Sequence, residues 1–231
     1  MLKKIYEKNE FVFALIFLIM FFLRLFPMRY GFDIDNILIL VINIIFTLIA
    51  LLFIKKYKLE EKYGLNVLPK NSRQYLYFIP LFIVGSINLW QGIALQYNGI
   101  ALFYASISMV LVGFIEEIVF RGFLFRAIEN TKGISRAIVI SSISFGIVHI
   151  FNLFLNPSID TIMQVIYAIS MGFVLVYIFY KSKSLWPCII FHSIIDFTAV
   201  YSNGTFNTYL ITIIIVIINI FYTLYLKNLK V

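Results

Sequence analysis

The sequence predicts an all-α integral membrane protein, a bundle of about eight transmembrane helices with both termini in the cytoplasm. Of its 231 residues 62% are hydrophobic and only 13% are charged. The apolar residues form long unbroken runs, as membrane spans do. No run shows the alternating pattern of a barrel strand, and backbone groups in lipid need internal hydrogen bonds, so helices are expected.

Eight apolar windows are long enough to cross a bilayer. They lie near 11–28, 36–54, 75–95, 101–125, 134–154, 161–180, 185–201 and 208–226. The first window has a basic start but no small-residue cleavage site, so a retained span is expected rather than a signal peptide. Because the one long polar linker, 55–74, reads as a surface loop, residues 1–231 are predicted to form a single polytopic membrane domain.

Lysine and arginine set the expected orientation, because cytoplasmic loops are enriched in them. With a cytoplasmic N-terminus, all of the 19 lysines and arginines except Arg24, Arg29 and Arg121 fall on the inner side. The formal net charge of +8 then belongs to loops that face anionic lipid, and no nucleic-acid partner is expected. The Ile- and Phe-rich composition favours a bacterial cytoplasmic membrane. The single cysteine, Cys188, is expected to be a small apolar residue.

Few ionisable side chains interrupt the spans, and they occur in three short patterns. Arg24 and the tyrosines aside, they are Glu116, Glu117, Arg121, His149, His192 and Asp196. A charge at a helix centre costs roughly 2.5–3.5 kcal/mol on insertion scales, so each needs a use or a partner. Both histidines of the chain belong to this set, which predicts one shared site on the fourth, fifth and seventh spans.

Spacing predicts which of these side chains share a helix face, since residues four apart do so. His192 and Asp196 are expected to point into one cavity. Arg121 is expected to neutralise Glu117, which leaves Glu116, about 100° around the helix, with a different task. At about 1.5 Å per residue, the set lies in the middle to cytoplasmic part of the bilayer.

Each of the three patterns, taken alone, has a structural explanation as well as a catalytic one. A glutamate–arginine pair can be a salt bridge within a bundle, and an intramembrane histidine can join two helices by a hydrogen bond. Phe145, four residues before His149, is expected to pack or to form one wall of a pocket. The joint pattern favours hydrolysis.

Two chemistries fit this set of groups. In the first, a partly desolvated carboxylate is a general base on water and the imidazoles stabilise the oxyanion. In the second, Glu116, His149, His192 and Asp196 hold a divalent metal such as zinc with an open position. The His-Glu-x-x-His zinc-protease motif is absent. The residues alone leave both chemistries open.

The three patterns resemble the motifs of the CPBP intramembrane proteases, the CAAX-prenyl endopeptidase and its bacteriocin-processing and abortive-infection relatives. The matching stretches are EEIVFRGFL from Glu116, FGIVH from Phe145 and HSIID from His192, in that order. The resemblance covers about 100–200, which would be the catalytic core. The eukaryotic enzymes carry asparagine where this chain has Asp196.

The resemblance implies an eight-helix fold whose membrane-embedded site opens toward the cytoplasm. It also implies that Glu116 activates water, that His149 and His192 assist, and that Asp196 contributes to the oxyanion site. Since an ionised carboxylate donates no hydrogen bond, Asp196 would have to be protonated, orient His192 or bind a metal. The implied substrate is a membrane-associated peptide or protein, such as a bacteriocin or pheromone precursor.

Two further functions remain open from the sequence. A non-catalytic membrane immunity or peptide-binding protein could use the same polar cluster to recognise a peptide without cutting it. A proton- or ion-coupled carrier could use the glutamates and histidines as a relay, although the inverted repeats and interrupted helices typical of carriers are not evident.

Overall fold

The computed structural model describes residues 2–69, 72–76, 78–155, 157–203 and 208–230. Within these ranges the protein is helical and contains no strand beyond one isolated bridge, Ile93 with Ser202. The predicted all-α membrane protein is therefore confirmed. The helices are α1 (Leu2–Lys8), α2 (Glu10–Phe22), α3 (Leu25–Arg29), α4 (Ile37–Lys56), α5 (Phe78–Gly85), α6 (Gly99–Glu117), α7 (Phe125–Lys132), α8 (Ile134–Ile147), α9 (Ile159–Ser182), α10 (Trp186–Ala199) and α11 (Thr208–Asn228).

Six helical segments in the described part of the chain are long and apolar enough to cross a membrane. They are Glu10–Arg29, Ile37–Lys56, Gly99–Lys132, Ile134–Phe154, Ile159–Ser182 and Tyr209–Asn228. The two remaining predicted spans differ from long helices. Helix α10 has 14 residues, about 21 Å. The window 75–95 is broken into 3₁₀ and α pieces, where Ser86 separates α5 from the 3₁₀ helix Ile87–Gln91.

Contacts gather both termini at one end of the bundle, which we call the terminal end. Lys62 Nζ lies 2.5 Å from Glu10 Oε1, and Asn130 donates to the other oxygen of Glu10 at 3.3 Å. Near the C-terminus, Lys181 Nζ donates to the carbonyl of Leu229 at 2.6 Å. The start of α2, the turn after α4, the end of α7 and the end of α9 therefore lie together with both termini.

The broken segment between α4 and α6 runs along α10 from the terminal end to the opposite end. At the terminal end, the Trp186 indole donates to the carbonyl of Leu65 at 2.7 Å. Further along, Asn88 donates to the carbonyl of Ile195 at 2.8 Å. At the opposite end, the backbone amide of Ala94 donates to the carbonyl of Tyr201 at 2.9 Å. The segment spans the length of α10 although its helices are short.

Small residues let the helices around the site approach closely, as is common in membrane bundles. A Cβ added at Gly113 of α6 would lie 2.8 Å from Ser193 N and 2.9 Å from the carbonyl carbon of His192 on α10. A Cβ at Gly172 of α9 would lie 3.0 Å from Ser142 Cα on α8. The first contact brings together the helices that carry the first and third motifs, and the second packs α8 against α9.

Replacement of Gly113 with alanine should push α6 away from α10, because the atoms in the way belong to the backbone and cannot rotate aside. Overpacking of this kind costs typically about 1–3 kcal/mol. We expect a lower melting temperature in detergent. Gly31→Ala is an unsuitable control because of its positive φ, so Ser108→Ala, on the same helix, serves instead. An unchanged melting temperature in Gly113→Ala would contradict the close α6–α10 packing.

Candidate active site

The first motif lies at the end of α6, where the helix widens into a π-helical segment, Ile118–Leu124. Wide turns of this type often occur at functional sites. Glu116 and Glu117 are the last residues of α6, and Arg121 lies in the wide turn. Glu116 is 3% exposed, while Glu117 and Arg121 are fully buried. Ion pairs and hydrogen bonds with neighbouring side chains offset the free energy of burying these charges.

Glu117 joins Arg121 to the second histidine. Its Oε1 accepts from Arg121 Nη1 at 2.8 Å, and the same oxygen lies 2.7 Å from His192 Nδ1. The pairing of Glu117 with Arg121 agrees with the spacing, whereas the bond to His192 was not anticipated. Because Nδ1 is engaged, the other ring nitrogen of His192 is directed elsewhere.

Glu116 has no such close pairing. Its Oε1 lies 3.6 Å from Arg24 Nη2, and its Oε2 lies 3.8 Å from His192 Nε2. Oε2 is buried and has no hydrogen-bond partner among the described residues. The two glutamates are thus not equivalent: Glu117 is held on both sides, and Glu116 keeps acceptor capacity within reach of an imidazole and a guanidinium.

The second and third motifs meet the first around one aromatic ring. His192 Nε2 lies 3.6 Å from Asp196 Oδ2, in keeping with their spacing of four residues. Phe145 makes edge contacts with His149 and with His192, each with ring centroids 5.4 Å apart. The Arg121 guanidinium lies over the Phe145 ring, 4.0 Å from its centre. Phe145 therefore spaces the two imidazoles.

A cavity of about 250 Å³ contains these groups. Five of the seven predicted site residues line it: Glu116, Phe145, His149, His192 and Asp196. Glu117 and Arg121 lie behind its wall, where they contact His192 and Phe145. The structure thus brings the three motifs together in one site, as the set of ionisable residues on the fourth, fifth and seventh predicted spans indicated.

Arg24 is the main residue of the cavity that sequence reasoning did not include. It belongs to the turn after α2, is 8% exposed, lines the cavity, and lies over Phe21 at 4.3 Å. Asn152 and Gln164 also line the cavity, joined by a hydrogen bond of 3.0 Å. In the sequence, Arg24 is marked only as a lone cation at the end of an apolar run. Its partner Glu116 lies 92 residues away, so the pairing is not evident from the sequence.

The same histidine and carboxylate side chains are the donors that a divalent metal would need. Among the described residues, no group of three or more His, Cys, Asp or Glu side chains is arranged to hold a metal ion. One nitrogen of His192 is already bonded to Glu117, and Arg24 places a positive charge beside Glu116. The arrangement of Glu116, His149, His192 and Asp196 therefore does not fit a metal site.

Comparison with known families adds an independent result. Residues 98–198 match the family model described as type II CAAX prenyl endopeptidase Rce1-like. This central segment, less than half of the chain, is similar to the CAAX proteases. The resemblance of the three motifs to CPBP proteases is thereby confirmed, and the Rce1-like segment holds all seven predicted site residues but not Arg24. No curated protein and no solved structure matches the chain.

Proposed function

We propose that the protein is an intramembrane endopeptidase that hydrolyses a peptide bond of a membrane-associated protein or peptide. The observation that carries the proposal is the buried Glu116 carboxylate, which faces a cavity shared with His149, His192 and Asp196 inside the Rce1-like segment. We take residues 1–231 as one membrane domain with its catalytic core at about 100–200, in a bacterial cytoplasmic membrane.

In the proposed mechanism Glu116 removes a proton from water, which attacks the peptide carbonyl carbon. Its unpaired Oε2 supplies the acceptor, and burial makes each nearby charge count more than it would in water. The proton then passes to the leaving amine as the tetrahedral intermediate collapses. The Glu117 bond to Nδ1 orients His192, so that Nε2 faces the reacting groups. His149 lines the same cavity and makes an edge contact with Phe145.

Arg24 is the group best suited to the negative oxygen of the intermediate. An ionised Asp196 has no hydrogen to donate, whereas a guanidinium has five donors. Arg24 lies 3.6 Å from the carboxylate that activates the water, and its side chain makes no hydrogen bond shorter than that contact to another described residue. The carbonyl under attack must lie near the same carboxylate, hence near Arg24.

Arg24→Gln is therefore expected to lower kcat about 10²–10³-fold, the usual loss for an oxyanion donor, with a smaller change in KM. Arg24→Lys keeps the charge and should retain part of the activity. Arg29→Gln removes the other cation from the same end of the first span and should leave kcat near that of the wild type. A loss confined to KM or to thermal stability would contradict the oxyanion role.

A metal is not used in this mechanism. We expect that incubation with 1,10-phenanthroline, followed by its removal, leaves the rate of cleavage unchanged, because the donors do not form a three-ligand site. Loss of activity that zinc restores and magnesium does not would establish the metal alternative in place of direct activation of water by Glu116.

We also propose that the protein crosses the membrane eight times with both termini in the cytoplasm. The contacts at both ends of α10 support a crossing by the broken segment between α4 and α6. The gathering of the termini at one end supports an even number of crossings. The concentration of cations at that end supports its cytoplasmic placement.

The substrate can be found by comparison of membrane-associated peptides and protein termini in cells that express the wild type or Glu116→Gln at equal levels. A new terminus present only with the wild type would identify the substrate and the bond that is cut. Identical profiles, with a protective phenotype kept by the variant, would instead identify a peptide-binding or immunity protein, the alternative left open by the sequence.

A further inference from the structure

The cavity extends from Glu116 toward the end of the bundle opposite the termini. Beyond the catalytic groups its walls come from the turn after α2 and from the segment after α8. Met28, Asp33 and Ile34 belong to the first, and Asn152 and Leu155 to the second. Both segments follow helices that begin at the terminal end, so this part of the cavity lies at the far end, where Asp33 is exposed and Ile34, Asn152 and Leu155 are half-buried.

Toward the terminal end the site is closed by packed side chains. Arg121, Phe120 and Phe123 are buried directly behind the glutamates. Phe123 makes edge contacts with Phe13 at 5.1 Å and with Tyr63 at 5.1 Å. Peptide could not reach Glu116 from that side without opening this aromatic cluster.

Positive charge distinguishes the two ends clearly. In the part of the chain that the structure describes, the connections and helix ends at the terminal end carry Lys3, Lys4, Lys8, Lys55, Lys56, Lys58, Lys62, Arg73, Arg126, Lys132, Arg136, Lys181, Lys183, Lys227 and Lys230. The opposite end carries Arg24 and Arg29 with Asp33, Asp35 and Asp160. An orientation with the cavity toward the cytoplasm would place nearly all of the cations outside, against the positive-inside tendency.

We infer that the cavity opens to the outer face of the membrane. The cytoplasmic opening implied by the family resemblance and the cytoplasmic termini implied by charge are incompatible in this fold, because the opening and the termini lie at opposite ends. Because most lysines and arginines lie at the terminal end, we place that end, with both termini, in the cytoplasm. Given the proposed protease activity, on which this step rests, the substrate is an exported peptide or the outer segment of a membrane protein.

The opening can be located by cysteine labelling of the full-length protein in intact cells. The background is Cys188→Ser, since this buried thiol donates to the carbonyl of Leu175 and serine can also donate. Ile34→Cys and Leu155→Cys report on the cavity rim, and Lys132→Cys, exposed at the end of α7, reports on the terminal end. The probe is a membrane-impermeant maleimide, and labelling after denaturation gives the total thiol.

We expect the two rim variants to react in intact cells and Lys132→Cys to react only after the membrane is permeabilised. Reaction of Lys132→Cys in intact cells, or reaction of the rim variants only after permeabilisation, would overturn the outward opening. The experiment is repeated with Glu116→Gln, because orientation does not depend on catalysis.

A second measurement separates this inference from the proposed function. The peptide identified by its new terminus is supplied to intact cells and to inverted membrane vesicles, and cleavage is expected only with intact cells. Cleavage by the inverted vesicles alone would overturn the outward opening and leave the protease standing. Absence of cleavage in both, with outward labelling of the rim, would remove the protease and leave the orientation.

Discussion

Replacement of Glu116 with glutamine is expected to abolish nearly all peptide cleavage, by roughly 10²–10⁴-fold, the usual contribution of a general base. Glutamine has nearly the same shape but cannot take a proton from water at neutral pH. The folded structure should change little, because Glu116 makes only the longer contacts of 3.6 and 3.8 Å to Arg24 and His192. The rate is measured with purified protein and the peptide identified in cells.

Three further variants show whether the loss of activity is specific to the site. Glu7→Gln changes an exposed glutamate of α1 whose pairing with Lys3 lies in water, and it should leave the rate unchanged. His192→Ala should lower the rate as Glu116→Gln does, and the double variant should be little worse than either, because the two groups act in one step. Full activity of Glu116→Gln in a folded sample would refute the assignment of the base.

Part of the candidate site could be predicted because it depends on the spacing of residues within single helices. His192 and Asp196 share a face four residues apart, and so do Glu117 and Arg121, which an α-helical repeat dictates without tertiary information. Their convergence with Phe145 followed from the cost of placing polar groups in lipid, since each such group must find partners within the bundle.

Other features depend on contacts between distant segments, which the sequence does not display. Arg24 was assigned to the outer side and excluded from the site, yet it lies beside Glu116 because the first span packs along the wide turn after α6. That wide turn, Ile118–Leu124, has no distinctive composition. The bond of Glu117 to His192 likewise arises from the approach of α6 to α10 at Gly113.

The direction in which the cavity opens follows from the charge pattern of the sequence together with the packing of the helices. The lysine and arginine pattern predicts that Lys3 and Lys230 lie in the cytoplasm, and residue counts along the helices predict a site in the middle to cytoplasmic part of the bilayer. Depth does not reveal access, however, because the short path from Glu116 to the terminal end is filled by Phe123 and its aromatic neighbours. The longer path, along Asp33 and Asn152, is the one that the helices leave open.

The pair Glu117 and Arg121 should have the largest effect on stability. Both are fully buried and joined at 2.8 Å, so removal of either leaves an uncompensated charge away from water. Breaking a buried pair in this way typically costs about 3–5 kcal/mol. Arg121→Met is therefore expected to lower the melting temperature in detergent strongly, because Glu117 then keeps only His192 as a partner.

The double variant Glu117→Gln with Arg121→Met tests whether the charges or the packing matter. It removes both charges and keeps similar volumes, so we expect it to be more stable than Arg121→Met alone, since replacement of a buried pair by neutral groups is often tolerated. Its activity should remain low, because glutamine holds His192 without a negative charge and stabilises the imidazolium less. Recovery of stability together with full activity would show that Glu117 orients His192 through shape alone, and that its charge has no part in catalysis.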